Sequence, residues 1–185
     1  MGDRAKGVKV LKYLNCTAKL GPTYYTKDGP LLYAWADAAY GVHTNGRSQS
    51  GFFISVGRSS APICCYTGSQ NKCVSLNSMQ AEYVTLSECA KKLIHFRNLC
   101  NDLGFPQEEP TTVFEDNLSA INLAKCPQIP RKSRHIKIRH HFIRDCVKEK
   151  AHVKSCDMVA DMLTKPLAPA KFKPGCRALM NVEHA

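Results

Sequence analysis

The sequence predicts a mixed α/β domain, and three observations carry that expectation. Two apolar and aromatic runs of strand length, LLYAWA (31–36) and GFFISV (51–56), flank a polar, turn-rich link. The stretch MQAEYVTLSECAKKLIHFRNLCNDLG (79–104) has a helical period, with Met79, Tyr83, Leu86, Ala90 and Leu93 recurring at steps of four and three. After it, TTVFE (111–115) returns to a strand pattern. Short links between strands favour antiparallel pairing, whereas a strand–helix–strand path favours a parallel return. The expectation is an antiparallel meander, a crossing helix, and a fourth strand lying parallel to the first.

Each element has a local reason. Val10, Leu11, Leu14 and Ala18 fall on one helical face, ended by Gly21-Pro22; so short a helix must pack on something or fray. Lys27-Asp28-Gly29-Pro30 reads as a turn. APICCY (61–66) and CVSL (73–76) read as a third strand broken by a turn at Thr67-Gly68-Ser69-Gln70-Asn71. Asn77 or Ser78 can cap the long helix, with Gln80 placed as a capping-box partner of Asn77. Gly104 and Pro106 end that helix. LSAINLAK (118–125) is a short helix stopped by Pro127, IKIRHHFIRDCVKE (136–149) another, and MVADMLTK (158–165) a last helical piece. The tail from 168 to 185 shows little organisation.

A chain of 185 residues, 44% hydrophobic, suits one domain with a sizeable core. Its 26 basic and 15 acidic residues give a net charge of +11, which fits a polyanionic partner. No apolar run approaches the roughly 20 residues of a membrane span, and no signal-type segment opens the sequence. Lys6 stands where a myristoylation motif wants Ser or Thr. The expected setting is soluble and intracellular, with no membrane partner. The 10 cysteines contain no C-x-x-C pair, so reduced, mostly buried thiols are expected rather than disulfides or zinc ligands.

Asp37 directly follows the first predicted strand and Asp116 the fourth. If those strands are parallel neighbours, both carboxylates emerge at the carboxyl edge of the sheet, where such folds place their sites. Glu82 opens the crossing helix and can reach the same edge, and Asp161 is a potential fourth acid. Taken singly, each acid is accounted for as a helix cap or strand end. Taken together they repel unless a cation neutralises them, and hard divalent ions, above all magnesium, suit oxygen ligands. A pair of such ions activates a water and stabilises the leaving oxygen in phosphodiester cleavage. A second constellation, RKSRHIKIRHHFIR (131–144), is rich in cations and holds no acid. Ile136, Ile138, Phe142 and Ile143 are expected to dock this helix on the core and leave Lys137, His141 and Arg144 outward, a row suited to phosphates. His140 and His141 read as part of that surface rather than as metal ligands.

The segments AWADAAYGVHTNGRSQSGFFISVG, MQAEYVTLSECAKKLIHFRNLC, VFEDNLSAINLAKCP, SRHIKIRHHFIRD and VADMLTKPL together resemble the ribonuclease H domain of copia-type LTR retrotransposon polyproteins. The resemblance implies a ribonuclease H fold with a five-stranded mixed sheet flanked by helices. It implies two magnesium ions, with manganese as a substitute, and no small-molecule cofactor. The implied activity is cutting the RNA strand of RNA–DNA hybrids. Carried over by motif, Asp37, Glu82, Asp116 and Asp161 are the implied catalytic and metal-binding acids, while the nucleic-acid contacts, Arg131, Lys132, Arg134, Lys137, His141 and Arg144, rest on the cation-rich stretch itself. A glutamate on the first long helix separates this pattern from transposase- and integrase-type nucleases, which place theirs on a late helix. The resemblance divides the chain into a reverse-transcriptase thumb and tether (1–30), a ribonuclease H-like domain (31–172) and a tail (173–185), with a reverse-transcriptase domain as a partner. The implied location is the cytoplasm, within or outside a virus-like particle, with the nucleus as the alternative. The chain departs from the family at Ala39, at Ser78-Met79-Gln80, and in KEKAHVKSCD, where only Ala151 and Val153 are apolar. There a degenerate edge strand is expected, and with it an insecure Asp161. An active nuclease and a catalytically impaired, co-opted nucleic-acid-binding remnant both stay open, as do a polyprotein fragment and a separate reading frame.

Overall fold

The computed structural model describes residues 2–24, 29–70, 74–127, 137–149, 151–154 and 158–180. Helix α1 (Gly2–Cys16) precedes strands β1 (Leu32–Ala39), β2 (Gln49–Val56) and β3 (Pro62–Ser69), then α2 (Ser78–Asp102) and β4 (Thr111–Phe114). Helices α3 (Leu118–Lys125) and α4 (Lys137–Glu149), strand β5 (Ala151–Lys154), a 3-10 helix (Val159–Leu163) and α5 (Pro169–Met180) follow. The five strands form one mixed sheet in the order β3-β2-β1-β4-β5. β1 to β3 pair antiparallel, and β4 runs parallel to both β1 and β5.

The alternation of β1 decides what lies on each face of the sheet. Leu32, Ala34 and Ala36 join Phe52, Ile54 and Val113 beneath Tyr83, Leu86, Cys89 and Leu93 of α2, with Ala120 and Leu123 of α3 and Ile143 of α4. The opposite face is aromatic: Trp35 stacks on Phe53 at 4.5 Å and lies 4.9 Å from Phe114, and Ala160 and Leu163 of the 3-10 helix cover them. Both edges of α2 are capped. Asn77 Oδ1 accepts from Gln80 N at 3.0 Å, while Gln80 Oε1 accepts from Leu76 N at 2.8 Å, one residue before the expected partner. At the other end Phe105 N donates to Cys100 O and Gly104 N to Asn101 O, with Gly104 at φ 82°, the left-handed closure that glycine permits.

Several expectations need correction. Asp37 does not follow β1 but lies within it, opposite Gly51. Thr67, Gly68 and Ser69 continue β3 instead of turning, because β2 begins early enough, at Gln49, to pair with them. The degenerate segment does form a fifth strand: Ala151 and Val153 are buried and level with Thr111 and Val113. The tail is helical as far as Met180, since Phe172 meets Tyr13 of α1 and Leu179 packs on the aromatic face. Of the eight cysteines among the described residues, all reduced, only Cys89 and Cys146 are buried; Cys16 and Cys65 are exposed. No helix among the described residues is long and apolar enough to cross a membrane.

Candidate metal centre

Parallel pairing aligns Trp35 with Phe114, so two residues further on Asp37 and Asp116 stand level at the carboxyl ends of adjacent strands. Glu82, one turn into α2, comes over the edge from the opposite face, where its carboxylate accepts from the Ala38 N–H. One ligand oxygen from each of Asp37, Glu82 and Asp116 lies within 4.8 Å of the other two. Asp37 and Glu82 are buried and Asp116 is exposed, so the cluster opens to solvent on one side only. All donors are hard oxygens, and the buried Glu82 Oε2 has no hydrogen-bond partner. A buried carboxylate oxygen without a donor is costly unless a cation meets it, so the arrangement fits a divalent ion.

The electrostatics tell the same story. Burial raises the Glu82 carboxyl, and the charges of Glu115, Asp37 and Asp116 push it further, to about 10. Glu115, fully buried behind the cluster, is raised to about 8, by burial first and then by Asp116 and Asp37, against the Asn117 N–H that its Oε1 accepts at 3.0 Å. Asp37 is also raised by burial, although the Thr164 hydroxyl and Lys165 work against that. Thr164 Oγ1 donates to Asp37 Oδ2, and Lys165 Nζ lies 3.4 Å from Asp37 Oδ1.

Asp161, half-buried on the 3-10 helix, is not part of the three-oxygen cluster. It connects to the cluster through Lys165, whose Nζ donates to Asp161 Oδ1 at 2.7 Å. The 3-10 segment sits this close because Gly51, opposite Asp37, has no side chain. A Cβ there would fall 2.7 Å from both Leu163 Cβ and Thr164 Cγ2. Thr67 Oγ1 adds a 2.6 Å hydrogen bond to Leu163 O. Gly51→Ala is therefore expected to destabilise the protein by about 1–3 kcal/mol, the usual cost of overpacking, read as a lower urea midpoint at constant slope.

The basic helix differs from its sequence reading. Arg131, Lys132 and Arg134 lie outside the described residues, as does Ile136, and the Lys137 side chain is likewise not described. Ile143 is buried as expected, but Ile138 is 86% exposed, and Arg139 takes the docking role by donating to Ser87 Oγ at 2.6 Å and Glu88 Oε1 at 2.9 Å. Arg144 is half-buried and turns to Pro127 O, 3.3 Å away, with Asp145 at 3.5 Å. His141 is half-buried, and His140, expected at the surface, is buried beside Tyr83 with ring centroids 6.4 Å apart. The helical period places residue 140 between Tyr83 and the α3–α4 contact, and a neutral imidazole tolerates that position; burial accordingly lowers the His140 pKa.

Sequence reasoning missed Glu115, Gly51, Thr164 and Lys165. Glu115 was legible from its place next to Asp116 at a strand end, where alternation sends it to the α2 face. Thr164 and Lys165 lie within the VADMLTKPL segment, three and four residues after Asp161.

Comparison with known proteins fits this geometry. No protein-family model matches the chain. It is 31% identical over 171 residues to the retrovirus-related Pol polyprotein from transposon RE2 of Arabidopsis thaliana, covering 89% of this chain and 12% of that protein. It is 29% identical over 178 residues to the corresponding polyprotein from transposon TNT 1-94 of Nicotiana tabacum, covering 94% of this chain and 13% of the polyprotein. The chain thus spans a small part of the relatives it matches. Among solved structures, LC11 ribonuclease H1, isolated from compost by a metagenomic approach, superposes with a TM-score of 0.55 at 13% identity, covering 73% of this chain and 93% of that one. The same enzyme in complex with an RNA/DNA hybrid gives 0.53 at 12% identity, covering 72% and 93%. At such identities the likeness is one of fold. The fold, with an acidic cluster at its carboxyl edge, defines a ribonuclease H-like domain. By its sequence relatives it is the ribonuclease H-like domain of a retrovirus-related Pol polyprotein of the copia-type retrotransposon kind.

Proposed function

We propose that the chain is a metal-dependent ribonuclease that cuts the RNA strand of RNA–DNA hybrids. The observation that carries this reading is the convergence of Asp37, Glu82 and Asp116, from three separate elements, to within 4.8 Å. Magnesium, or manganese in its place, would be held by these acids as a pair of ions, with Asp161 on the outer side; when bound, the pair supplies an activated water and charge relief for the leaving oxygen. The chain's own part is positioning. Buried Asp37 and Glu82 fix the inner side of the site, Asp116 faces the solvent from which a hybrid arrives, and the 3-10 helix closes the remaining side.

The net charge of +11 supports a polyanionic substrate. With Arg144 turned toward Pro127 and Asp145, the phosphate grip falls chiefly to Arg131, Lys132, Arg134 and Lys137, with His141 at the margin. The hybrid bound to LC11 ribonuclease H1, a protein of the same fold, supports the choice of substrate. In this reading residues 1–30 tether the domain to a reverse-transcriptase partner, 31–172 form the nuclease, 173–185 are a tail, and the setting is the cytoplasm or a particle within it. The impaired alternative rests on an eroded fifth strand that misplaces Asp161; β5 is formed, and Asp161 lies outside the three-acid cluster, joined to it through Lys165.

The test is an end-labelled hybrid incubated with the purified chain. Expected are cuts confined to the RNA strand in magnesium or manganese, none in chelator, and binding that weakens steeply with salt. Salt-sensitive binding without cleavage in either metal would overturn the nuclease reading in favour of a binding module.

A further inference from the structure

We propose that Lys165 is the resident cation of the outer half of the acidic site, bridging Asp37 and Asp161 until a divalent ion takes its place, and so setting the affinity for that outer ion. This rests on the metal-dependent reading above. Lys165 Nζ lies 2.7 Å from Asp161 Oδ1 and 3.4 Å from Asp37 Oδ1. The Asp37 side chain has no exposed surface, its other oxygen is taken by Thr164, and Lys165 is its one ion-pair partner among the described residues. Without this ammonium two carboxylates would face each other uncompensated.

The backbone that carries Lys165 is fixed while its side chain can move. Leu163 O is held by Thr67, Thr164 and Lys165 donate their N–H groups to Asp161 O at 3.1 and 2.9 Å, and Gly51 leaves no slack beneath. The Lys165 side chain, by contrast, is 39% exposed, with about four rotatable bonds between backbone and ammonium. An ammonium and a divalent cation repel strongly at a few ångströms and cannot share the gap between the same two carboxylates. A divalent ion that uses Asp37 and Asp161 together must therefore displace the ammonium toward solvent, and a short swing of the lysine stem achieves this with Asp161 still in place.

The test is calorimetric titration of manganese into the full chain, with metal-free melting temperatures measured in parallel, for wild type, Lys165→Met and Lys165→Arg. The wild type is expected to bind two ions of unequal affinity. Lys165→Met should bind the weaker ion about tenfold more tightly, the effect of removing one adjacent charge, and should melt at a lower temperature without metal. Lys165→Arg, which keeps the charge, should retain the wild-type metal affinity. Unchanged or weakened manganese binding in Lys165→Met overturns the proposal. A wild-type chain that binds no manganese overturns the metal-dependent reading as well, so the two failures are distinguishable.

Discussion

Asp116→Asn is expected to lower hybrid cleavage by about a thousandfold at nearly unchanged stability, whereas Glu82→Gln should lower cleavage as far and stabilise the metal-free protein. The shared loss follows from removing one of three convergent carboxylates: several kcal/mol of transition-state charge stabilisation corresponds to roughly three orders of magnitude. The divergence in stability follows from burial. Asp116 is exposed at the edge, and its charge costs the fold little. Glu82 is 4% exposed, faces Asp37 and Glu115, and has one oxygen with no donor. Glutamine keeps an acceptor for the Ala38 N–H and is neutral at every pH. It therefore escapes the cost of holding a carboxyl raised to about 10 protonated near pH 8, where the unfolded chain would ionise it, a gain on the order of 2 kcal/mol in chelator. Cleavage rates and urea unfolding of both variants measure the contrast. A Glu82→Gln protein less stable than wild type without metal would make Glu82 a structural hydrogen-bonding residue and weaken its assignment to the metal site.

The contrast between these two acids also marks what a sequence discloses. Strand alternation, helical period and turn residues made the meander, α2 and the parallel return of β4 legible, and with them the convergence of Asp37, Glu82 and Asp116. These are local signals backed by a topological rule. The end of β3 was not legible because Thr67, Gly68 and Ser69 have turn chemistry. Their strand state depends on pairing with Gln49, Ser50 and Gly51, and Thr67 is polar because it binds Leu163 O. The exposure of Ile138 has a similar reason. Amphipathic counting assigns isoleucine to the core, but Ser87 and Glu88 on α2 offer Arg139 acceptors that only the packed structure reveals. α5 has few strongly apolar positions and becomes a helix by packing on α1 and the 3-10 segment. In each case a tertiary partner overrode a local preference.

The same packing is expected to make the stability of the metal-free protein fall as pH rises and, on the metal-dependent reading, to make magnesium most stabilising where the fall is greatest. Asp37, Glu82 and Glu115 are all raised above their ordinary values of 3.8, 4.5 and 4.5. Between those values and the raised ones, about 8 for Glu115 and about 10 for Glu82, the folded state holds more protons than the unfolded state. The slope of unfolding free energy with pH is then negative, and stability is lost through that window. Lys165, lowered by burial but raised overall by Asp161 and Asp37, contributes stability that is lost only as pH rises beyond 10.5, outside the range of interest. A divalent ion binds the deprotonated carboxylates, so protons compete with it near pH 5, and it replaces them as the neutralising charge near pH 9. At a thousandfold excess over its dissociation constant, magnesium should add about 4 kcal/mol at the alkaline end and much less at the acidic end. Melting temperatures between about pH 5 and pH 9, in chelator and in saturating magnesium, should therefore diverge as pH increases. Curves that stay parallel would mean that the buried acids titrate without reference to the metal, leaving the acidic cluster a structural feature of the sheet edge.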